Sequence, residues 1–170
     1  MPVLGVVPDF SLTERSGRTL SKRDLVGRPW VANFVFTSCA GMCPLLSSRM
    51  AQLHRSLAAT DLKVRSVSFS VDPTHDTPEV LREYAARYTP DEQDWLFVTG
   101  PKEQLYGLIS SGFRLSVAER SAAEAAEHPD ELITHSDRFV LVDGQGRIRA
   151  YYHGTEAEVV SEVLRDAATL

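Results

Sequence analysis

The chain is 170 residues long, which suits one domain spanning 1–170 and leaves no room for a second. Hydrophobic residues make up 43% and charged residues 24%, the balance of a soluble globular protein. Acidic residues outnumber basic ones by 23 to 18, a net charge of -5, and no Lys/Arg block is long enough to follow a phosphate backbone, so no nucleic-acid partner is expected.

The first residues lack the charged n-region and apolar h-region of a signal peptide, as a chain trimmed behind a signal or anchor would. The longest apolar runs, such as residues 31–36, are too short to span a bilayer. Residues 9–13 alternate like a strand, Ser16-Gly17-Arg18 turn it, and residues 18–20 pair back as a hairpin. Residues 30–36 (WVANFVF) form a nearly continuous apolar run, the mark of a strand covered on both faces. From 44 to 57, Leu45, Leu46, Met50, Leu53 and Leu57 recur at helical spacing, with Pro44 placed as a first helical residue. Residues 63–71 alternate as a strand, and Thr77-Pro78-Glu79 opens a second helix running to about Tyr88. A short strand at 95–98 and a helix over 101–110 follow. Residues 116–131 are Ala/Glu-rich and weakly patterned, an expected exposed excursion. Residues 139–142 and 148–152 flank Asp143-Gly144-Gln145-Gly146, a hairpin signal, and a closing helix is expected from Thr155 or Glu156 to about Ala168.

Strands alternating with helices imply a central, largely parallel sheet with helices on both faces, to which the terminal hairpin adds antiparallel strands. The expected class is α/β: a thioredoxin-like three-layer sandwich around a mixed sheet, with an extra N-terminal hairpin.

There are only two cysteines, four positions apart, in Thr37-Ser38-Cys39-Ala40-Gly41-Met42-Cys43-Pro44. A disulfide-stapled small domain would carry more, spread along the chain, so the pair points to metal binding or redox work rather than to two neighbouring core cysteines. The motif lies where the apolar strand hands over to the first helix, and functional sites in open α/β sheets gather at the carboxyl ends of strands. A helix N-terminus offers free N–H groups and a positive dipole end, which stabilise a thiolate. Sulfurs at i and i+4 can close on one soft ion; thiolates select Cu(I), zinc or iron–sulfur clusters, and two are too few for a cluster. The third donor is His135 in Thr134-His135-Ser136. In a thioredoxin-like sheet the strand after it runs antiparallel to the strand before the cysteines and so starts at the cysteine end. Such folds usually place a cis-proline there; an imidazole in its place favours a metal ligand over a plain disulfide exchanger.

The segments NFVFTSCAGMCP, SFSVDPTHDTPEVLREYA and ITHSDRFVLVDGQGRIRAYY, with the opening VLGVVPDFSLTERSGRTLSKRDLVGRP, resemble the Sco/SenC family of cytochrome c oxidase copper chaperones over nearly the whole chain. The resemblance implies Cys39, Cys43 and His135 as ligands of Cu(I), Cu(II) or both, with Cys39 and Cys43 also forming a redox pair that reduces the cysteines of the target oxidase subunit. It implies as partners the copper-site subunit of cytochrome c oxidase and other copper chaperones or thiol reductases. It places the protein outside the cytoplasm, in the periplasm or on the outer face of the cytoplasmic membrane, tethered by a segment absent here. The departures are that missing anchor and the Ala/Glu-rich stretch, and neither touches the ligands.

Asp72 follows a strand on the same sheet edge as the cysteines, which makes it a support for a ligand or part of a docking surface, set against simple hydrogen bonding within its own turn. Asp76 or Thr77 is read as the cap of the helix opening at Pro78. His54 reads as surface or core-edge packing, His128 as solvated and His75 as an ordinary loop histidine that is also the one spare ligand; Trp30, Phe34, Phe36, Phe69 and Phe139 read as core. The main rival is a thiol–disulfide oxidoreductase, whose motif has a two-residue gap where this chain has three. A peroxiredoxin would want a threonine where Ala40 stands. Structural zinc asks for four protein ligands, against three here.

Overall fold

In the computed structural model, which describes residues 1–129 and 132–170, the apolar run becomes β4 (Trp30–Val35), with every residue buried. Before it come β1 (Gly5–Val6), β2 (Ser11–Glu14), β3 (Thr19–Ser21) and one turn of helix, α1 (Lys22–Leu25). After it come α2 (Cys43–Ala58), β5 (Arg65–Ser70), α3 (Pro78–Ala86), β6 (Trp95–Thr99) and α4 (Lys102–Gly107), which runs into a π-helical turn at Leu108–Gly112. The chain continues as β7 (Val117–Glu119), α5 (Ala122–Glu127), β8 (Ile133–His135), β9 (Arg138–Val142), β10 (Arg147–His153) and α6 (Val159–Ala167).

Eight strands make one sheet in the order β1-β10-β9-β4-β5-β6-β2-β3, and β7 with β8 makes a second, two-stranded one. The fold is the expected α/β, thioredoxin-like class, but the sheet is not largely parallel. Among the described residues only β4–β5 and β5–β6 run parallel; β9 and β10 extend one side and the β2–β3 hairpin the other, all antiparallel. Parallel neighbours need helical crossovers, and only α2 and α3 provide them here.

Register fixes what each face carries. Phe34 pairs with Phe69 and Phe69 with Val98, so these point to one side, where Phe113 beyond the π-turn and Phe10 close over them. The rings of Phe34 and Phe69 stack at 5.9 Å, and Phe113 meets Phe34 edge-on at 5.2 Å. The alternate residues, Asn33, Ser66, Ser68, Ser70, Trp95 and Phe97, face α2 and α3. This second face is partly polar and hydrogen-bonded across its strands: Ser68 donates to Asn33 Oδ1 at 2.6 Å and Trp95 Nε1 to Ser68 Oγ at 3.0 Å.

The helix starts follow from sequence. Pro44 sits in the first turn of α2, and Thr77 caps α3 by accepting from the Val80 N–H at 3.3 Å. The β9–β10 turn closes through Gly146 at φ +78, while Asp143 accepts from the Gln145 and Arg147 N–H groups. Three expectations change. Residues 155–158 are a turn, so the closing helix begins only at Val159, and the helix expected over 101–110 becomes α4 plus the π-turn. The Ala/Glu-rich stretch is exposed but not unstructured: β7 and α5 form within it, Ser121 and Glu124 close a capping box on α5, and residues 130–131 lie outside the described part.

The aromatic cluster is the place where truncation costs most. Phe69→Ala, at 0% exposure, should lower unfolding free energy by about 3–5 kcal/mol, read as a drop in the urea midpoint at unchanged slope.

Candidate metal centre

β4 and β5 end side by side at Val35 and Ser70, and α2 begins at Cys43, so residues 36–42 form a loop across the carboxyl edge of the parallel strands. The Cys39 N–H folds the loop back by donating to the Phe36 carbonyl at 3.2 Å. Met42, the N-cap of α2, supplies no side-chain cap. The backbone N–H groups of Gly41 and Cys43 help to stabilise the Cys39 thiolate.

The two sulfurs therefore differ sharply. Cys39 is held well below the ordinary thiol range, chiefly by a hydrogen bond from Cys43, against burial and with help from His135 and the two N–H groups. Cys43 moves the opposite way. Keeping its proton for Cys39, full burial, and the negative charges of Cys39 and Asp76 all push its thiol up. Cys39 keeps 8% exposure and Cys43 none.

β9 runs antiparallel to β4, with Trp30 opposite Val142 and Ala32 opposite Val140, so its start lies at the cysteine end. β8 ends just before it and delivers His135. The imidazole Nε2 lies 3.4 Å from Cys43 Sγ, and Nδ1 lies 3.0 Å from the Ser136 carbonyl. A carbonyl can only accept, so Nδ1 carries a proton, and Nε2 is the ring nitrogen turned to the sulfur. Phe36 backs the ring edge-on at 5.8 Å. A 150 Å³ cavity opens between Phe36, Cys39, Met42 and residues 133–135. Among the described residues no three His, Cys, Asp or Glu side chains form a ready-made ion cage. The donor chemistry nevertheless fits a soft ion: two sulfurs, one already inclined to ionise, and one oriented nitrogen.

The carboxylates sort differently from the sequence reading. Thr77 takes the capping role alone, and Asp76 is fully buried, accepting from the Thr37 N–H at 3.2 Å, the Thr37 hydroxyl, and the Ser70 hydroxyl at 2.7 Å. It therefore joins the start of the cysteine loop to the end of β5. Asp72 closes the turn between them: its carbonyl accepts from the His75 and Asp76 N–H groups, and its own N–H donates to Ser70. Sequence had one clue to Asp76, since Thr77-Pro78-Glu79 already supplies a helix start and leaves it no local task.

His54 is 6% exposed, bonded to Ser66 at 3.1 Å and Asp91 at 2.8 Å, and acts in packing beneath α2. His75 is exposed in its turn, and His128 ends α5 in solvent. His153 pairs with Asp137 at 3.0 Å.

Comparison with known proteins bears on all of this. A SCO1/SenC family lipoprotein from Bacillus anthracis is 30% identical, with a TM-score of 0.89 over 99% of this chain and 96% of that one. BsSco, a member of the Sco family of cytochrome c oxidase assembly proteins in which a disulfide switch is identified, is 27% identical with a TM-score of 0.85 over 99% and 95%. A protein of Stutzerimonas stutzeri named for copper binding is 29% identical over 152 residues, 89% of this chain and 71% of that one. The SCO1/SenC family model matches residues 4–169, and the chain belongs to that family.

Proposed function

We propose that this chain is a copper metallochaperone: it holds copper as cargo with Cys39, Cys43 and His135 and hands it to the copper site of cytochrome c oxidase. The observation that carries this reading is His135, whose proton is committed to Ser136 while Nε2 faces Cys43 at 3.4 Å. An imidazole serving only to pack would not need its second nitrogen turned toward a sulfur. Two thiolates and one nitrogen suit a low-coordinate copper ion that must leave again, whereas a structural zinc site would close with a fourth ligand. The oxidase-assembly role of BsSco and the copper-binding name of the Stutzerimonas relative support cargo and recipient. Loading draws the last proton from Cys43, and the 8% exposure of Cys39 makes it the sulfur that meets the ion first.

The protein works outside the cytoplasm, tethered to a membrane. The lipoprotein nature of the Bacillus anthracis relative supports this, and among the described residues no helix is long and apolar enough to cross a bilayer.

The split between the sulfurs favours a second activity on the same thiols. Cys39 thiolate attacks a disulfide of the oxidase subunit, forming a mixed disulfide and releasing one acceptor thiolate. Cys43, on losing its proton, attacks the Cys39 sulfur; the internal disulfide forms, the second acceptor sulfur departs, and two electrons have passed to the acceptor.

Three outcomes test the reading. His135→Ala should keep the fold and the dithiol/disulfide cycle but lower copper affinity more than tenfold, over about 1.4 kcal/mol, in a competition titration; unchanged affinity removes His135 from the ligand set. Oxidation by glutathione disulfide, which takes up the two electrons and two protons as Cys39 joins Cys43, should abolish Cu(I) uptake measured by metal analysis. Brief iodoacetamide treatment at neutral pH should label Cys39 well ahead of Cys43 by peptide mass, and equal labelling would contradict the assigned attacking sulfur.

A further inference from the structure

We propose that Asp76 is a positioning residue of the cysteine site. Its buried carboxyl group pins the start of the cysteine loop to the end of β5. The proposal rests on Cys39 and Cys43 being the working thiols.

The argument begins with cost. Asp76 has 0% exposure, and burying a carboxylate is unfavourable unless donors or a cation compensate it. No Lys, Arg or His pairs with it among the described residues; its partners are Thr37 and Ser70. Local structure does not require a charge there. Thr77 caps α3, and the turn is closed by main-chain bonds, including Asp76 N–H to the Asp72 carbonyl at 2.8 Å. What the carboxylate alone provides is acceptor capacity for three donors at once, two of them on Thr37 and one on the last residue of β5. An asparagine would turn donor hydrogens toward at least one of these donors.

Thr37 stands two residues before Cys39, and Phe36, its neighbour on the other side, receives the Cys39 N–H at 3.2 Å. Fixing Thr37 fixes the stem from which the first sulfur hangs. Burial pushes the Asp76 carboxyl up, and the Thr37 and Ser70 donors oppose that push.

Three variants test the pinning: Asp76→Asn, Thr37→Val, which keeps the carboxyl group and drops a donor, and Ser70→Ala. Each is read by urea unfolding, by Cu(I) competition on the reduced protein, and by the dithiol/disulfide equilibrium against glutathione. Asp76→Asn and Thr37→Val should each weaken Cu(I) retention about tenfold, because both loosen the stem that holds Cys39. If Asp76→Asn lowers only the urea midpoint and leaves both site readouts at wild type, Asp76 is merely structural and the proposal falls. Should Asp76→Asn not fold, wild-type Cu(I) retention in both Thr37→Val and Ser70→Ala overturns it equally. A wild-type chain that binds no copper would remove the proposed chaperone function, while a shifted dithiol equilibrium in Asp76→Asn would still uphold the positioning role.

Discussion

The site depends on one pairing, β9 antiparallel to β4. The register that sets Trp30 against Val142 and Ala32 against Val140 sends the start of β9 to the edge where β4 releases the cysteine loop. Residues 92 apart in sequence thereby meet at 3.4 Å. A parallel β9 would have put residue 135 at the far end of the sheet. The long loop closed by this contact is entropically unfavourable, and the fully buried β4, packed on both faces, offsets that cost over the whole strand rather than at the site.

Much of this was legible in the sequence because the signals are long or chemically loud. Residues 30–36 are apolar without a break, α2 carries five apolar residues at helical spacing, and the Asp-Gly-Gln-Gly turn names its hairpin. What escaped was short or distant. β1 has two residues and β7 and β8 three each, too few for periodicity to register, and β1 pairs with β10 at the other end of the chain. A mixed sheet was expected, but its antiparallel share is larger than expected, because strand order in the chain does not give strand order in space. Asp76 was read from its neighbours as a cap, yet its decisive partner, Thr37, is 39 residues away. His54 looked peripheral for the same reason: Ser66 and Asp91, which enclose it, belong to other elements.

The two cysteines show how little spacing alone determines. They stand four positions apart, yet one sits in the loop with 8% exposure and the other is sealed inside the first turn of α2. Their chemistry is set by each other, by burial and by main-chain donors, and beneath α2 lies a layer of polar residues. That layer is unusual for a core. Ser66, Ser68, Ser70 and Asn33 are each no more than 2% exposed, and the Asn33 Nδ2 group finds no partner. Alternation along β5 places all three serines on this face, and the last of them holds Asp76.

The placement of His135 on β8, outside the eight-stranded sheet, has a thermodynamic consequence. A ladder of three residue pairs opens at a far lower free energy than a strand bonded on both edges within a core. Amide hydrogens of β7 and β8 would therefore exchange with solvent by local opening, while those of β4 would wait for global unfolding. A donor group mounted on the low-energy element can come and go on its own timescale. The sulfurs, one of them anchored in α2, remain with the cooperative unit, so release of an ion need not disturb the fold that recruited it.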